Sequence, residues 1–158
     1  MLHKSKGKYK WQTKATWCIE HSLNPVILAY LEKLYSFKDK GLFGIPMSYI
    51  KKQAALQGIE DIITDFDKVD EKAAFDLYIR DLEELIWTFS DNEPNILGYQ
   101  FEYDWLKGDD VRGGLSSITL SCSNQVERDR YNKDLDEWYS RKNAGYKLFG
   151  EIYTDLDW

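Results

Sequence analysis

Hydrophobic side chains recur at helical spacing between positions 75 and 89. Successive members are separated by one or three positions, which places them on one face of an α-helix: Phe75, Tyr78, Ile79, Leu82, Leu85, Ile86 and Phe89. Asp70 can cap the start of this helix, and Glu71 lies in the first turn, where negative charge interacts well with the helix dipole. Asn92, Glu93 and Pro94 end it. The pattern predicts an amphipathic helix.

Two shorter helices are predicted before it. Asn24-Pro25 is a typical helix start, because Asn can cap free amides and Pro tolerates the first turn, so we expect a helix over about 24–39. The segment 45–48 leads into a second helix that ends near Gln57. Gly58 then occupies the position that favours a left-handed helix stop.

A two-residue period follows the long helix. Aromatic residues alternate with polar ones at Tyr99, Phe101, Tyr103 and Trp105, which is typical of a strand with an aromatic face. Turn-forming residues lie between them and a second alternating segment, 117–122. We expect a β-hairpin at about 98–122.

The last helix is predicted from position 125 to the C-terminus, with Ser123-Asn124 as its cap. Its inward positions step by four and three in alternation: Tyr131, Leu135, Trp138, Lys142, Gly145, Phe149, Ile152 and Leu156. Lys142 and Gly145 interrupt the apolar register, so the helix could bend or break at these two residues. Because the apolar face looks longer than one small domain can cover, we expect a homodimer or higher homo-oligomer.

The predicted fold class is mainly α: a bundle of four or so helices with a two-stranded antiparallel hairpin inserted before a long C-terminal helix. Residues 1–15 are predicted to form a basic, partly mobile arm, since five lysines occur in the first 14 positions without an acidic residue. Residues 16–158 are predicted to form a single helical domain.

The formal net charge of −6 argues against a general nucleic-acid binder, which needs positive surface. No apolar run approaches the length of a membrane span. Cys18 and Cys122 lie far apart with no export signal before them, so a reducing cytosol is the simpler interpretation. Cys18 and His21 have the spacing of two metal ligands, but a second pair is missing, so no metal site is expected.

Catalytic signatures are missing from the sequence. There are two histidines and no nucleophile elbow, Walker-type loop or dinucleotide fingerprint, so no catalytic residue and no cofactor are predicted. The carboxylates between Asp61 and Glu71 could hold magnesium, but a solvated connector with capping duties is the favoured interpretation.

Candidate ligand-binding residues lie in three segments. Lysines and aromatics of the arm could grip phosphate and stack on a ring, although a solubilising tail is the simpler alternative. The hairpin aromatics could line a pocket or simply cover the core. Arginines near the hairpin could bind an anion or form surface ion pairs. The candidates are Lys8, Lys10, Trp11, Tyr99, Tyr103, Trp105, Arg112, Arg128 and Arg130.

Four segments resemble small uncharacterised helical proteins of tailed bacteriophages. They are an aromatic-led entry at Trp17 and the runs PVILAYLEKLYSFK (25–38), DLYIRDLEELIWTF (76–89) and GYKLFGEIYTDLDW (145–158). The resemblance implies a non-enzymatic phage protein in the host-cell cytoplasm that binds a host factor or an immune signal. It implies no catalytic residues.

Three functional hypotheses follow. The leading one is a phage accessory protein that counters a host defence by sequestering a nucleotide-type immune signal in a pocket formed by oligomerisation. The alternative is an acidic inhibitor that binds and occludes a host defence protein, of the anti-CRISPR or anti-restriction type. A small metal-dependent enzyme acting on a phosphate-containing substrate is the third.

Overall fold

The computed structural model describes the backbone of residues 2–5, 8–11, 19–38, 44–101, 103–107, 118–122 and 124–156, and the side chains of 22–38, 44–101 and 124–156. The chain divides into two compact units: Met1–Asp91 with Ala144–Trp158, the larger unit, and Asn92–Asn143, the smaller unit. None of the described helices is both long and apolar enough to cross a membrane.

The first helix, α1, spans Ile19–Tyr35 and contains Pro25 in its interior. The predicted start at Asn24-Pro25 is therefore wrong. Proline removes one backbone hydrogen bond, but its fixed φ is already helical, so here it interrupts the hydrogen-bond ladder without starting or ending the helix. Leu31 and Leu34 are buried and form the inward side of α1.

The second helix, α2, spans Met47–Gln57, as predicted. Gly58 ends it with φ of 73°, a left-handed conformation that glycine adopts without steric cost. The Gly58 N–H donates to the Ala55 carbonyl at 3.2 Å, and the next amide, that of Ile59, donates to the Ala54 carbonyl at 2.9 Å. These bonds satisfy carbonyls that a helix end leaves unpaired.

The third helix, α3, spans Glu71–Phe89, and its prediction is confirmed. An Asp70 carboxylate oxygen accepts from the Ala73 amide at 3.0 Å, which is the expected cap. The inward face of α3 is buried as the spacing predicts, through Tyr78, Leu82, Leu85 and Phe89 together with Ala74.

The larger unit has one main apolar core, to which α1, α2, α3 and the C-terminal segment all contribute. A smaller cluster lies beside it, where α2 meets the first turn of α3 and the residue Val69 just before that helix: Ile50, Ala54, Val69 and Ala74. The main core consists of Leu31, Leu34, Tyr49, Tyr78, Leu82, Leu85, Phe89, Ile152 and Leu156. The predicted helical core is thereby confirmed.

The fourth helix, α4, spans Gln125–Ile152 and passes into a 3₁₀ turn, Tyr153–Leu156. The Asn124 side chain accepts from the Glu127 amide at 3.3 Å, so Asn124 caps the helix as predicted. There is no break at Lys142 or Gly145, both of which are buried. Glycine at position 145 avoids a steric clash, because a Cβ there would lie 1.8 Å from the Thr88 Oγ1 on α3.

The inward positions of α4 are covered within one chain. All eight residues of the predicted heptad register are buried or half-buried: Tyr131, Leu135, Trp138, Lys142, Gly145, Phe149, Ile152 and Leu156. The uncovered apolar face from which we expected oligomers is therefore not present in these residues. Homo-oligomerisation stays a prediction.

Four short strands are described by their backbone. Two of them, β1 (Leu2–Ser5) and β2 (Lys8–Trp11), pair antiparallel, and so do β3 (Tyr103–Lys107) and β4 (Ile118–Cys122). Where side chains are described, the chain is 77% helical, with four α-helices and no strand. The predicted fold class is therefore wrong in its β part: residues 98–101, whose side chains are described, form no strand, and paired backbone is described only at 103–107 and 118–122.

The aromatic strand fails at its beginning for a clear physical reason. Ile96–Gly98 is a 3₁₀ turn, and residues 99–101 lie outside any strand. The Gln100 amide donates to Glu127 at 3.1 Å, and the Gln100 carbonyl accepts from the Asn124 side chain at 3.2 Å. Side chains at the start of α4 thus occupy the backbone groups that a ladder would need.

Candidate functional site

A groove of about 450 Å³ lies between α2 and α3 in the larger unit. This volume is within the range of small-molecule sites. Four of its lining residues come from α2 and three from α3, and together they combine apolar walls with charged groups at the rim: Tyr49, Lys52, Ala55, Leu56, Leu77, Arg80 and Asp81. We call this set the α2–α3 groove.

Helix periodicity explains why these residues meet. Tyr49, Lys52 and Leu56 are separated by three and four positions, so they lie along one side of α2. On α3, Leu77 is followed three and four positions later by Arg80 and Asp81. The second, smaller core cluster holds the two helices side by side and so brings both sets to one groove.

Tyr49 and Asp81 are joined by a hydrogen bond inside the groove. The Tyr49 hydroxyl donates to the Asp81 Oδ2 at 2.9 Å, and the Tyr49 ring packs on Tyr78 with centroids 4.9 Å apart. Burial raises the pKa of Tyr49 well above its usual value, and the hydrogen bond to Asp81 raises it further. Tyr49 therefore remains a hydrogen-bond donor at neutral pH and holds the carboxylate in place.

The rim carries two cations. The Lys52 ammonium lies 4.5 Å from the centroid of the Tyr49 ring. Within the described residues, no carboxylate lies within 4.0 Å of it. The Arg80 guanidinium is 3.6 Å from the Asp81 Oδ1, and its side chain is 70% exposed. Both groups can reach an anion at the mouth of the groove.

The arrangement suits a ligand that has a flat apolar body and an anionic group. Leu56 and Leu77 provide apolar wall, and Lys52 and Arg80 can donate charge-assisted hydrogen bonds to phosphate or carboxylate oxygens. Such bonds contribute about 1.5–3 kcal/mol each. The Asp81 carboxylate adds an acceptor inside the groove.

A second groove, of about 520 Å³, lies between α1 and the C-terminal turn. None of the described residues that line it is charged. The Tyr30 hydroxyl donates to the Leu156 carbonyl, which ties the two segments together. Its exposed aromatic and aliphatic groups are Val26, Tyr30 and Tyr153. We call this the α1 groove.

The predicted ligand residues with described side chains lie in the smaller unit. The Tyr99 hydroxyl donates to the Asp134 Oδ2 at 2.6 Å, which raises the pKa of Tyr99. The Arg130 guanidinium lies 5.3 Å from the Tyr99 ring centroid and 3.6 Å from a Glu127 oxygen. Tyr99 also packs edge-on against Tyr131, at 5.0 Å. These contacts attach the segment before β3 to α4.

Tyr99 and Arg130 are thus brought together. The Arg128 side chain is exposed, and the Arg128 backbone amide donates to the Asn124 carbonyl at 3.1 Å. The other predicted side chains lie outside the described residues: Lys8, Lys10, Trp11, Tyr103, Trp105 and Arg112. Cys18, His21 and Cys122 lie outside them as well.

The acidic connector uses its carboxylates locally. The pKa of Asp61 is lowered by a hydrogen bond from the Thr64 side chain and by those from the amides of Ile63 and Thr64. Asp65 pairs with Lys68 at 2.7 Å. In the described portion of the chain, no group of three or more His, Cys, Asp or Glu side chains is placed to hold a metal ion. The predicted capping role is seen at Asp70, whose carboxylate accepts from the Ala73 amide.

The groove residues were missed at the sequence level because nothing local marks them. Lys52 and Arg80 are spaced like ordinary solvent-facing cations on amphipathic helices, and Asp81 is one of many acidic residues. Only the packing of α2 on α3 brings them together. A useful signal would have been Tyr49, a large aromatic on a helix with few other large apolar residues.

No protein-family model, curated protein sequence or solved structure matches the chain.

Proposed function

We propose that this protein is a non-enzymatic binding protein that captures a nucleotide-type ligand in the α2–α3 groove. The observation that carries the proposal is the pairing of two rim cations, Lys52 and Arg80, with an apolar wall formed by Leu56 and Leu77. Phosphate oxygens would bind the cations, and the base would lie against the leucines. All of the described lining residues belong to one chain.

The energetic scale supports reversible binding. We expect a net binding free energy of about 4–8 kcal/mol, which corresponds to dissociation constants of about 1 mM to 1 μM. Stoichiometric capture at such an affinity works when the protein is abundant relative to its ligand.

The test is calorimetric titration with mononucleotides at low salt. We expect one site per chain and recovery of chemically intact nucleotide after heat release. The double variant Lys52→Ala/Arg80→Ala should weaken binding at least about a hundredfold, because each of the two lost phosphate contacts is worth about 1.5–3 kcal/mol.

The matched control removes two exposed lysines from the same helices, Lys51→Ala/Lys72→Ala, neither of which lines the groove. It changes the net charge equally and should bind almost as well as wild type. Equal losses in both double variants would mean that only the overall charge matters and would refute the site. Altered nucleotide after release would instead support the enzyme hypothesis.

A second candidate function is binding of a host protein through the α1 groove. Val26, Tyr30 and Tyr153 are 54%, 48% and 64% exposed there, and tyrosines are enriched among the residues that dominate protein interfaces. Tyr153→Ala should abolish capture of a protein partner while leaving nucleotide titration unchanged. The reverse pattern would favour the α2–α3 groove.

The wider role in countering a host defence rests on the resemblance to tailed-phage proteins. Under that proposal the captured nucleotide is an immune signal, and expression of the protein in a cell that carries a signal-dependent defence should restore phage growth. Lys52→Ala/Arg80→Ala should then fail to restore it.

A further inference from the structure

Asp81 is the one carboxylate that lines the α2–α3 groove among the described residues. Its side chain is only 15% exposed. The Oδ2 atom accepts from the Tyr49 hydroxyl at 2.9 Å, while the Oδ1 atom lies 3.6 Å from the Arg80 guanidinium, beyond hydrogen-bond distance. No other described donor lies within hydrogen-bond distance of the carboxylate. Oδ1 and the second lone pair of Oδ2 therefore retain acceptor capacity.

A fixed carboxylate of this kind recognises only donors. An ionised carboxylate accepts hydrogen bonds and cannot donate, so a ring edge that presents an acceptor to it loses a bond and adds repulsion. Two adjacent N–H donors on one ring edge match the two oxygens of a carboxylate. Among the common nucleobases, guanine presents such a pair through N1–H and its exocyclic amino group.

We infer that Asp81, oriented by Tyr49, determines the specificity of the α2–α3 groove for a guanine nucleotide. The inference rests on the proposed function, because the ring reaches Asp81 only when its phosphate is held by Lys52 and Arg80 at the rim. Tyr49 is a positioning residue, because its buried hydroxyl donates to the Asp81 Oδ2 and so orients the carboxylate.

The test compares guanosine monophosphate with inosine monophosphate, which lacks only the exocyclic amino group. Wild-type protein should bind the guanosine nucleotide at least about tenfold more tightly, because inosine keeps N1–H but loses one hydrogen bond to the charged carboxylate. In Asp81→Asn this preference should fall to about twofold or less, because a carboxamide presents one donor and one acceptor.

Asp81→Asn keeps the size of the side chain and an oxygen that can accept from Tyr49. Its loss of negative charge near the phosphate changes both affinities alike and cancels in their ratio, so a merely structural role would leave the ratio unchanged. An unchanged ratio in the variant overturns the inference, as does equal binding of both nucleotides by wild type, and in either case the proposed function stands. If neither nucleotide binds, the proposed function fails together with the inference.

Discussion

Replacing Gly145 with alanine should destabilise the protein, although alanine is the better helix former. A Cβ at position 145 would lie 1.8 Å from the Thr88 Oγ1 and 2.7 Å from both its Cβ and Cγ2. Thr88 is fully buried and its hydroxyl donates to the Glu84 carbonyl at 2.7 Å. Rotating the threonine would break that bond and still leave its Cβ at 2.7 Å, so α3 and α4 must separate.

The magnitude follows from three contributions. Overpacking a buried contact costs about 1–3 kcal/mol, and loss of the Thr88 hydrogen bond costs about 1 kcal/mol. The gain in helix propensity from glycine to alanine offsets about 1 kcal/mol. The net expectation is a loss of about 2 kcal/mol in the free energy of unfolding.

Urea unfolding monitored by tryptophan fluorescence and circular dichroism measures this change. Gly150→Ala is the matched control, since a Cβ at position 150 has no atom within 4 Å. It should stabilise the protein by about 0.5–1 kcal/mol. Gly145→Ala should cost less in a Thr88→Ala background than in wild type, because the clashing Oγ1 and Cγ2 are then absent. Wild-type stability or better for Gly145→Ala would refute the assigned contact between α3 and α4.

Three further predictions concern caps and titration. Asp70→Ala should lower the unfolding free energy by about 1 kcal/mol by removing the cap of α3, whereas Asp67→Ala, at an exposed residue nearby, should change it little. Gly58→Ala should cost about 1 kcal/mol, because alanine is strained at φ of 73°. Above the unfolded-state pKa of tyrosine, about 10, wild-type stability should fall with pH by up to about 1.4 kcal/mol per pH unit more than that of Tyr49→Phe.

The sign of the last prediction follows from the direction of the pKa shift. The pKa of Tyr49 is raised in the folded state, so above pH 10 the unfolded chain releases a proton that the folded chain keeps. The contribution is fully present at neutral pH and is lost as the pH rises. Urea titrations at pH 8 and pH 11 test it, and parallel losses in wild type and Tyr49→Phe would contradict the burial of the hydroxyl. Equal stabilities of Asp70→Ala and Asp67→Ala would contradict the cap, and a neutral Gly58→Ala would contradict the left-handed turn.

Local patterns were sufficient for α2, α3 and α4. A period near 3.6, an acidic or amide cap at Asp70 and Asn124, and a glycine stop at Gly58 act within a few residues, so the sequence alone predicts them. The same local rules placed the start of α1 at Pro25, because a proline inside a helix and a proline at its first turn have the same sequence signature. The structure begins α1 at Ile19.

Tertiary packing decided two features that the hydrophobic period of the sequence does not determine: the conformation of residues 99–101 and the composition of the groove. The alternation at Tyr99 and Phe101 is strand-like. However, Glu127 and Asp134 on α4 and its cap residue Asn124 form hydrogen bonds with this segment and keep it out of a strand ladder. The α2–α3 groove likewise joins residues about 30 positions apart that carry no shared motif. Composition and periodicity determine which side chains turn inward along each helix. The distances between the helices depend on how those inward faces pack, and these distances decide which polar groups meet in the groove.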